Sequence, residues 1–392
     1  MSAIMSNAPG LSHDEAVRRA RALAREIAAR VPRAEAERRV PIESIEAFVG
    51  AGLARILQPR RWGGYEISHD AAFDVTVEIS KACGSTGWCC GFLNIHDWWV
   101  AGFPEQAQHD VWRDGPDVNL AGVIAPLSGR ARMVDGGYRL SGQWSWASGV
   151  DHCSWAIVTA MVETDGGRQA QVFLLPKSDY AVKDTWFNVG MRGTGSHDIF
   201  ADDVFVPAHR SVTLDDLREG TTPGTKVNTG PLYAIPLEAR RHALSAPALG
   251  IARSAFASWV EWMRTKVSTA TGEAIAQLVP AQIALATAEI DLDAAEFLLR
   301  RNLDFIRRGG PISRDIRAIS ASSGAQALQM ICKGVDLLFY SSGSRGMFDD
   351  SPLQRAWRDV HTIASHFALS PEHNAQIRAR VLLGLPPAGK LE

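Results

Sequence analysis

Few residue types in this chain can do chemistry, and they are scattered along it. Twelve tryptophans stand out. An indole is large, flat and apolar, and its N–H needs a partner when buried. Such an excess either packs internally or sandwiches a flat ligand. His96 and His366 carry imidazoles, which titrate near neutrality and can hold or move a proton. Ser148 brings a hydroxyl two residues after Trp146. Arg264 carries a planar fork suited to paired, charge-assisted bonds with a phosphate. Ser341-Ser342-Gly343-Ser344-Arg345-Gly346 is a small-residue turn of the kind whose backbone N–H groups nest an anion. Each feature has a plain alternative: core packing for the indoles, a satisfied imidazole, a strand-end serine, a solvent-facing arginine, an ordinary helix–helix loop.

Several catalytic constellations are missing from the sequence. No GxGxxG follows a strand pattern, and no GxxxxGK[ST] occurs. The run Gly190-Met191-Arg192-Gly193-Thr194-Gly195 has its glycines in the wrong order for a dinucleotide turn. There is no HExxH and no GxSxG elbow, which argues against a metalloprotease or a covalent hydrolase. The five cysteines, among them Cys83 and the adjacent pair Cys89 and Cys90, form no CxxC and no zinc spacing with histidine. They read as buried thiols of a reducing cytoplasm. His152, in Asp151-His152-Cys153, reads as structural.

The elements that must position these groups fall into three blocks. At 392 residues the chain is long enough for two or three cooperating domains. Net charge is −2, which argues against nucleic acid or a membrane surface as partner. No apolar run reaches the length of a membrane span and no secretory signal is visible, so a cytoplasmic protein is expected. Residues 1–116 read as helical. Ser12 with Glu15 forms a capping box before an Ala/Arg-rich stretch ending at Arg30, and further helices are expected over 41–49, 70–83 and 88–103. Residues 117–218 read as an all-β module of short strands over 119–124, 132–140 (broken by Asp135-Gly136-Gly137), 155–162, 171–175 and 199–206. Within it Asp165-Gly166-Gly167 signals a hairpin. Residues 219–392 read as a helical bundle over 237–265, 273–307, 312–340, 353–367 and 371–383, entered through a Gly/Thr/Pro-rich linker or flexible loop over 220–230.

This order resembles the acyl-CoA dehydrogenase fold, an α+β architecture with an N-terminal helical domain, a central β-barrel or sandwich and a C-terminal four-helix bundle. Four stretches carry the resemblance: Phe48 to Pro59 followed by Trp62-Gly63-Gly64; Gly142 to Gly149, which contains Trp144, Trp146 and Ser148; Gly190 to Gly195 with Val204 to Pro207; and Arg355-Ala356-Trp357-Arg358-Asp359. True dehydrogenases of the family place a catalytic glutamate shortly after that Arg-Asp pair. Here the position holds His366 or Phe367. Glu238 lies where some members carry the glutamate instead, so an FAD-dependent acyl-CoA dehydrogenase remains the alternative, with a non-catalytic assembly protein behind it.

The run from Arg358 to His366, together with Trp144 to Cys153 and Gly190 to Ser196, is similar to the two-component flavin-dependent monooxygenases. These include the oxygenase components of p-hydroxyphenylacetate hydroxylase and of the steroid-degradation phenol hydroxylases. The resemblance implies reduced FMN or FAD, supplied by a separate NAD(P)H:flavin reductase. It implies O2 as co-substrate, a C4a-hydroperoxyflavin, hydroxylation of a phenolic, indolic or polycyclic aromatic, and a homotetramer. It also implies roles for single residues. Ser148 would bond the flavin N5 and Trp146 would pack on the ring. Thr194 and Ser196 would line its edge, and Arg264, Ser341 and Ser344 would approach its phosphate and tail. His366 would face the flavin C4a and the substrate. His96, Trp99 and Val123 would line the substrate pocket, with Trp88 and Trp98 walling it from the same helix. Where the phenol hydroxylases hold a serine, this sequence reads Gly122-Val123-Ile124, which suits a more apolar aromatic. The near-neutral charge also fits an uncharged substrate better than an anionic thioester.

Overall fold

The structure is a computed structural model, describing residues 10–237, 241–268, 271–308 and 312–386. The chain opens with α1 (His13–Ala29), capped by Ser12, whose hydroxyl accepts from the Glu15 N–H at 3.2 Å. Then come α2 (Val31–Glu37), α3 (Ile42–Gly50), α4 (His69–Ala82), α5 (Gly84–Val100) and α6 (Glu105–Trp112). The short α2 and α6 were not expected from the sequence, and α5 begins at Gly84 rather than Trp88. Gly84, Ser85 and Gly87 are weak helix formers, but packing overrides them. A β-carbon on Gly87 would sit 1.9 Å from the Ser80 hydroxyl of α4. One on Gly91 would sit 2.9 Å from Thr76. The small residues let α4 and α5 lie nearly backbone to backbone.

The central module is one mixed sheet of β1 (Leu120–Val123), β2 (Gly129–Val134), β3 (Gly137–Ala147), β4 (Trp155–Thr164), β5 (Gly167–Pro176), β6 (Ala181–Lys183), β7 (His197–Pro207) and β8 (Ser211–Thr213). Its order is β6-β7-β3-β2-β4-β5-β8, with β1 also beside β4. The β4–β5 hairpin turns at Asp165-Gly166, as the sequence signals. β3 is longer than its sequence pattern shows: it runs on through Trp144 to Ala147, with a register shift between those two residues. Trp144 lies in the sheet's own core, wholly buried, its indole N–H on the Thr159 carbonyl at 2.6 Å.

After the short α7 (Leu214–Glu219) the chain enters α8 (His242–Thr265), α9 (Val279–Arg307), α10 (Arg314–Ser341), α11 (Pro352–Ala364) and α12 (Pro371–Leu382). A second apolar core, centred on Trp259, Leu292, Leu328, Ile331 and Val335, joins these helices. The expected start of α9 at Glu273 is displaced to Val279, because Ala274 pairs with Val267 in an isolated bridge and Ile275–Gln277 form a separate short turn. The expected flexible loop over 220–230 is in fact packed. Gly224 fits only because a β-carbon there would meet the Ala101 carbonyl at 2.0 Å, and the Asn228 amide donates to that same carbonyl at 2.8 Å.

Candidate active site

Helix α5 is the axis of the site. Trp88, Phe92, His96 and Trp99 follow at spacings of four, four and three, which places them on one helical face. Their rings step along it at centroid separations of 5.0, 5.4 and 5.0 Å. Trp98 leaves this face: its N–H donates to the Leu232 carbonyl at 2.6 Å and its ring meets His69. From Trp88 to His96 the rise is about 12 Å.

At the Trp88 end, the indole N–H donates to the Ser148 hydroxyl at 2.9 Å. That hydroxyl lies 2.7 Å from Ser196 Oγ, which lies 2.7 Å from Thr194 Oγ1. Thr194 in turn donates to the Met191 carbonyl at 2.9 Å. Thr194 and Ser196 are buried and Ser148 is half-buried, so the row of hydroxyls reaches the surface at Ser148. Two residues earlier, Trp146 holds φ at +73° and is 72% exposed. The left-handed region strains a bulky residue, and here it turns a large indole out of the sheet beside Ser148. Cys89 lies beneath, its Sγ 3.5 Å from the Thr194 carbonyl. Burial pushes the Cys89 thiol well above its ordinary value and Cys153 up to about 12, so these sulfurs are not nucleophiles.

His366 follows α11 and reaches the same end, its ring 6.2 Å from that of Trp88. Its Nδ1 accepts the Ala368 N–H at 3.2 Å, which puts the proton of the neutral ring on Nε2. The ring is solvent-accessible but set among protein atoms. Burial, and then the positive charge of Arg241, lower its pKa. α11 is tied to the hydroxyl row by Asp359, a buried carboxylate that accepts the Met191 N–H at 2.5 Å. Gly190 closes this junction, since a β-carbon there would lie 2.2 Å from the Arg358 carbonyl.

At the far end, His96 is buried and its Nδ1 lies 2.6 Å from the Leu120 carbonyl. A carbonyl only accepts, so Nδ1 carries the proton and Nε2 the lone pair. Gly122 makes room for that ring: a β-carbon would sit 2.6 Å from Nε2 and 2.9 Å from Trp99. Val123 is buried on the same strand.

Other expected residues lie elsewhere in the chain. Arg264 is at the C-terminal end of α8, its side chain 71% exposed and 3.6 Å from Glu261. Arg241, the neighbour of His366, precedes the other end of that helix, about 33 Å away along it. Ser341 ends α10, bonding the Leu337 carbonyl, and Ser344 is exposed in the following turn. That turn precedes α11, whose length of about 20 Å separates it from His366. His152 Nε2 donates to the Val40 carbonyl at 2.7 Å, a structural contact. Glu238 lies outside the described residues. A cleft of about 870 Å³ between α1, α4, α8 and α9 is lined by none of the site residues. Its charges are spent on one another, as in Arg300 with Asp74 and Glu296, both at 2.9 Å. Gly122, Met191 and Asp359 were missed as site residues. Only the spacing of Trp88, Phe92, His96 and Trp99 could have drawn the aromatic face from the sequence.

Residues 12–113 match the acyl-CoA dehydrogenase N-terminal domain and residues 242–371 the acyl-CoA dehydrogenase C-terminal domain. The chain is 36% identical to the flavin-dependent monooxygenase oxygenase subunit HsaA of Rhodococcus jostii, over 89% of this chain and 93% of that protein. It is 36% identical to the oxygenase component of an FADH2-dependent resorcinol hydroxylase of a Rhizobium species, over 91% of each. The crystal structure of 3-HSA hydroxylase from Rhodococcus sp. RHA1 superposes with a TM-score of 0.91 at 34% identity, covering 96% of this chain and 99% of the other.

Proposed function

The chain belongs to the flavin-dependent monooxygenase oxygenase components built on the acyl-CoA dehydrogenase fold, and we propose that it hydroxylates an aromatic ring with one atom of O2. The reduced flavin comes from a separate reductase. The observation that carries this reading is the single face of α5, which joins a hydroxyl row and an exposed tryptophan at one end to a buried imidazole acceptor at the other.

The residues fit a reduced flavin. An isoalloxazine needs a flat apolar wall and a hydrogen-bond partner at its ring nitrogen, and Trp146 and Ser148 offer both side by side. When bound, the reduced flavin supplies the electrons that activate O2. The chain's own groups do the rest. His96 Nε2 is a fixed acceptor that takes the hydrogen bond, and then the proton, of a phenol O–H or indole N–H. This raises electron density in the ring. His366 Nε2 presents the complementary donor at the flavin end. Phe92, between them, gives a flat substrate an apolar wall and keeps water out. His366 stands where a dehydrogenase would hold its carboxylate, and an imidazole of lowered pKa is a poor replacement for that base.

The finer assignments belong to the same proposal: either FMN or FAD as the flavin, a cytoplasmic setting and a homotetramer. The five free cysteines support a reducing compartment, and no helix among the described residues is long and apolar enough to cross a membrane. Ile283, Ile290 and Phe297 repeat every seven residues along α9 and are all exposed, a stripe suited to a second copy. Arg264, Ser341 and Ser344, remote from Ser148 within one chain, could then reach a flavin tail from a neighbour. His366→Ala tests the assignment. Hydroxylation of resorcinol, p-hydroxyphenylacetate or indole should fall at least roughly 100-fold, while the affinity for reduced flavin changes little. Equal turnover in the variant would remove His366 from its role.

A further inference from the structure

We propose that Thr194 and Ser196 fix Ser148 as a hydrogen-bond acceptor, and so make the site choose reduced over oxidised flavin. The inference rests on Ser148 as the partner of flavin N5, and follows from counting protons. Each hydroxyl has one to give. The Met191 carbonyl has none, so the 2.9 Å contact to it takes the proton of Thr194. Ser196, 2.7 Å from Thr194, must then donate to Thr194. Ser148, 2.7 Å from Ser196, must donate to Ser196. Reversing the row would leave Thr194 Oγ1 and the Met191 oxygen facing each other as two acceptors. At the outer end the Trp88 indole can only donate, and it fills one lone pair of Ser148. What Ser148 has left to offer a ligand is its other lone pair.

The direction of the row is anchored in the fold. The Met191 carbonyl also accepts the Trp186 indole N–H at 3.0 Å and the Thr194 N–H at 3.1 Å, and the Met191 N–H is held by Asp359. Flavin N5 carries a hydrogen when reduced and a bare lone pair when oxidised. An acceptor at Ser148 matches the first and repels the second. The same polarity lets oxidised flavin leave for the reductase at the end of a cycle.

Thr194→Val keeps the branched shape but removes the acceptor that orients Ser196. Ser196 can then turn its proton to Ser148, and Ser148 its own outward. Ser196→Ala frees the Ser148 proton directly, and Thr194→Ser preserves the row. Dissociation constants for oxidised FAD, and anaerobically for reduced FAD, are read by fluorescence titration of each protein. Wild type and Thr194→Ser should favour reduced FAD by the same factor. Thr194→Val and Ser196→Ala should each lower that ratio roughly five- to tenfold, the worth of one hydrogen bond. A damaged fold would weaken both affinities together and leave the ratio alone. Ratios within twofold of wild type in both variants, with circular dichroism unchanged, overturn the proposal. Wild type that binds no reduced FAD overturns the site reading beneath it.

Discussion

His96 and His366 are assigned opposite duties by the atoms that touch their Nδ1 positions. A carbonyl makes His96 an acceptor at Nε2, and an amide N–H makes His366 a donor there. Neither duty is visible in the sequence, where both are isolated histidines, and only the resemblance of the flanking motifs singled them out. Gly122 was read in the sequence only as part of an apolar run, because its role is the absence of a side chain beside His96. Gly122→Ala should push the His96 ring aside, raising KM for an aromatic substrate roughly tenfold with reduced-flavin affinity unchanged. Steady-state kinetics paired with flavin titration checks this. The pH dependence follows from His366. Burial and Arg241 lower its pKa, so it stays neutral to more acid pH than an ordinary histidine of about 6.5. The acid limb of the turnover profile, absent in His366→Ala, should have its midpoint below that value. A midpoint above it would contradict the assignment.

α11 meets the loop that carries the hydroxyl row at one buried carboxyl, Asp359, which accepts the Met191 N–H. Desolvation raises Asp359 to about 7. The folded protein therefore keeps a proton that the unfolded chain gives up near 3.9. This contribution is whole at acid pH and is lost as pH rises towards 7. Asp359→Asn keeps an acceptor for the Met191 N–H but carries no charge. Its Tm relative to wild type should therefore climb between pH 5 and pH 8, as thermal melts at both values would show. A constant difference would mean that Asp359 does not titrate in this range. Long helices with strong periodicity were legible in the sequence, α10 to within two residues at each end and α9 apart from its expected first six residues. α2 and α6 were not, being too short to show a period. The linker over 220–230 misled because its composition is that of a loop, while the Gly224 N–H is held by the Gly102 carbonyl and the Asn228 side chain by that of Ala101.

For the whole molecule, the motif order along the chain made the fold legible, because each motif serves a junction between layers. The twelve tryptophans divide accordingly. Trp144 and Trp259 are core, Trp88 and Trp99 line the aromatic face, and Trp146 stands exposed beside the hydroxyl row. Assembly was not legible in the same way, since Ile283, Ile290 and Phe297 fall in a helix whose other face is equally apolar. Phe297→Asp should shift the protein to a smaller species in light scattering and weaken flavin binding with it. An unchanged mass would place the subunit contact elsewhere. The central claim is tested most directly by oxygen labelling. The protein is mixed anaerobically with reduced FAD or reduced FMN and an aromatic substrate (resorcinol, p-hydroxyphenylacetate or indole), then exposed to ¹⁸O2, and the product is weighed by mass spectrometry. The account predicts one ¹⁸O atom in the hydroxylated ring with at least one substrate. Hydrogen peroxide alone, with no labelled product from any substrate and either flavin, would contradict it.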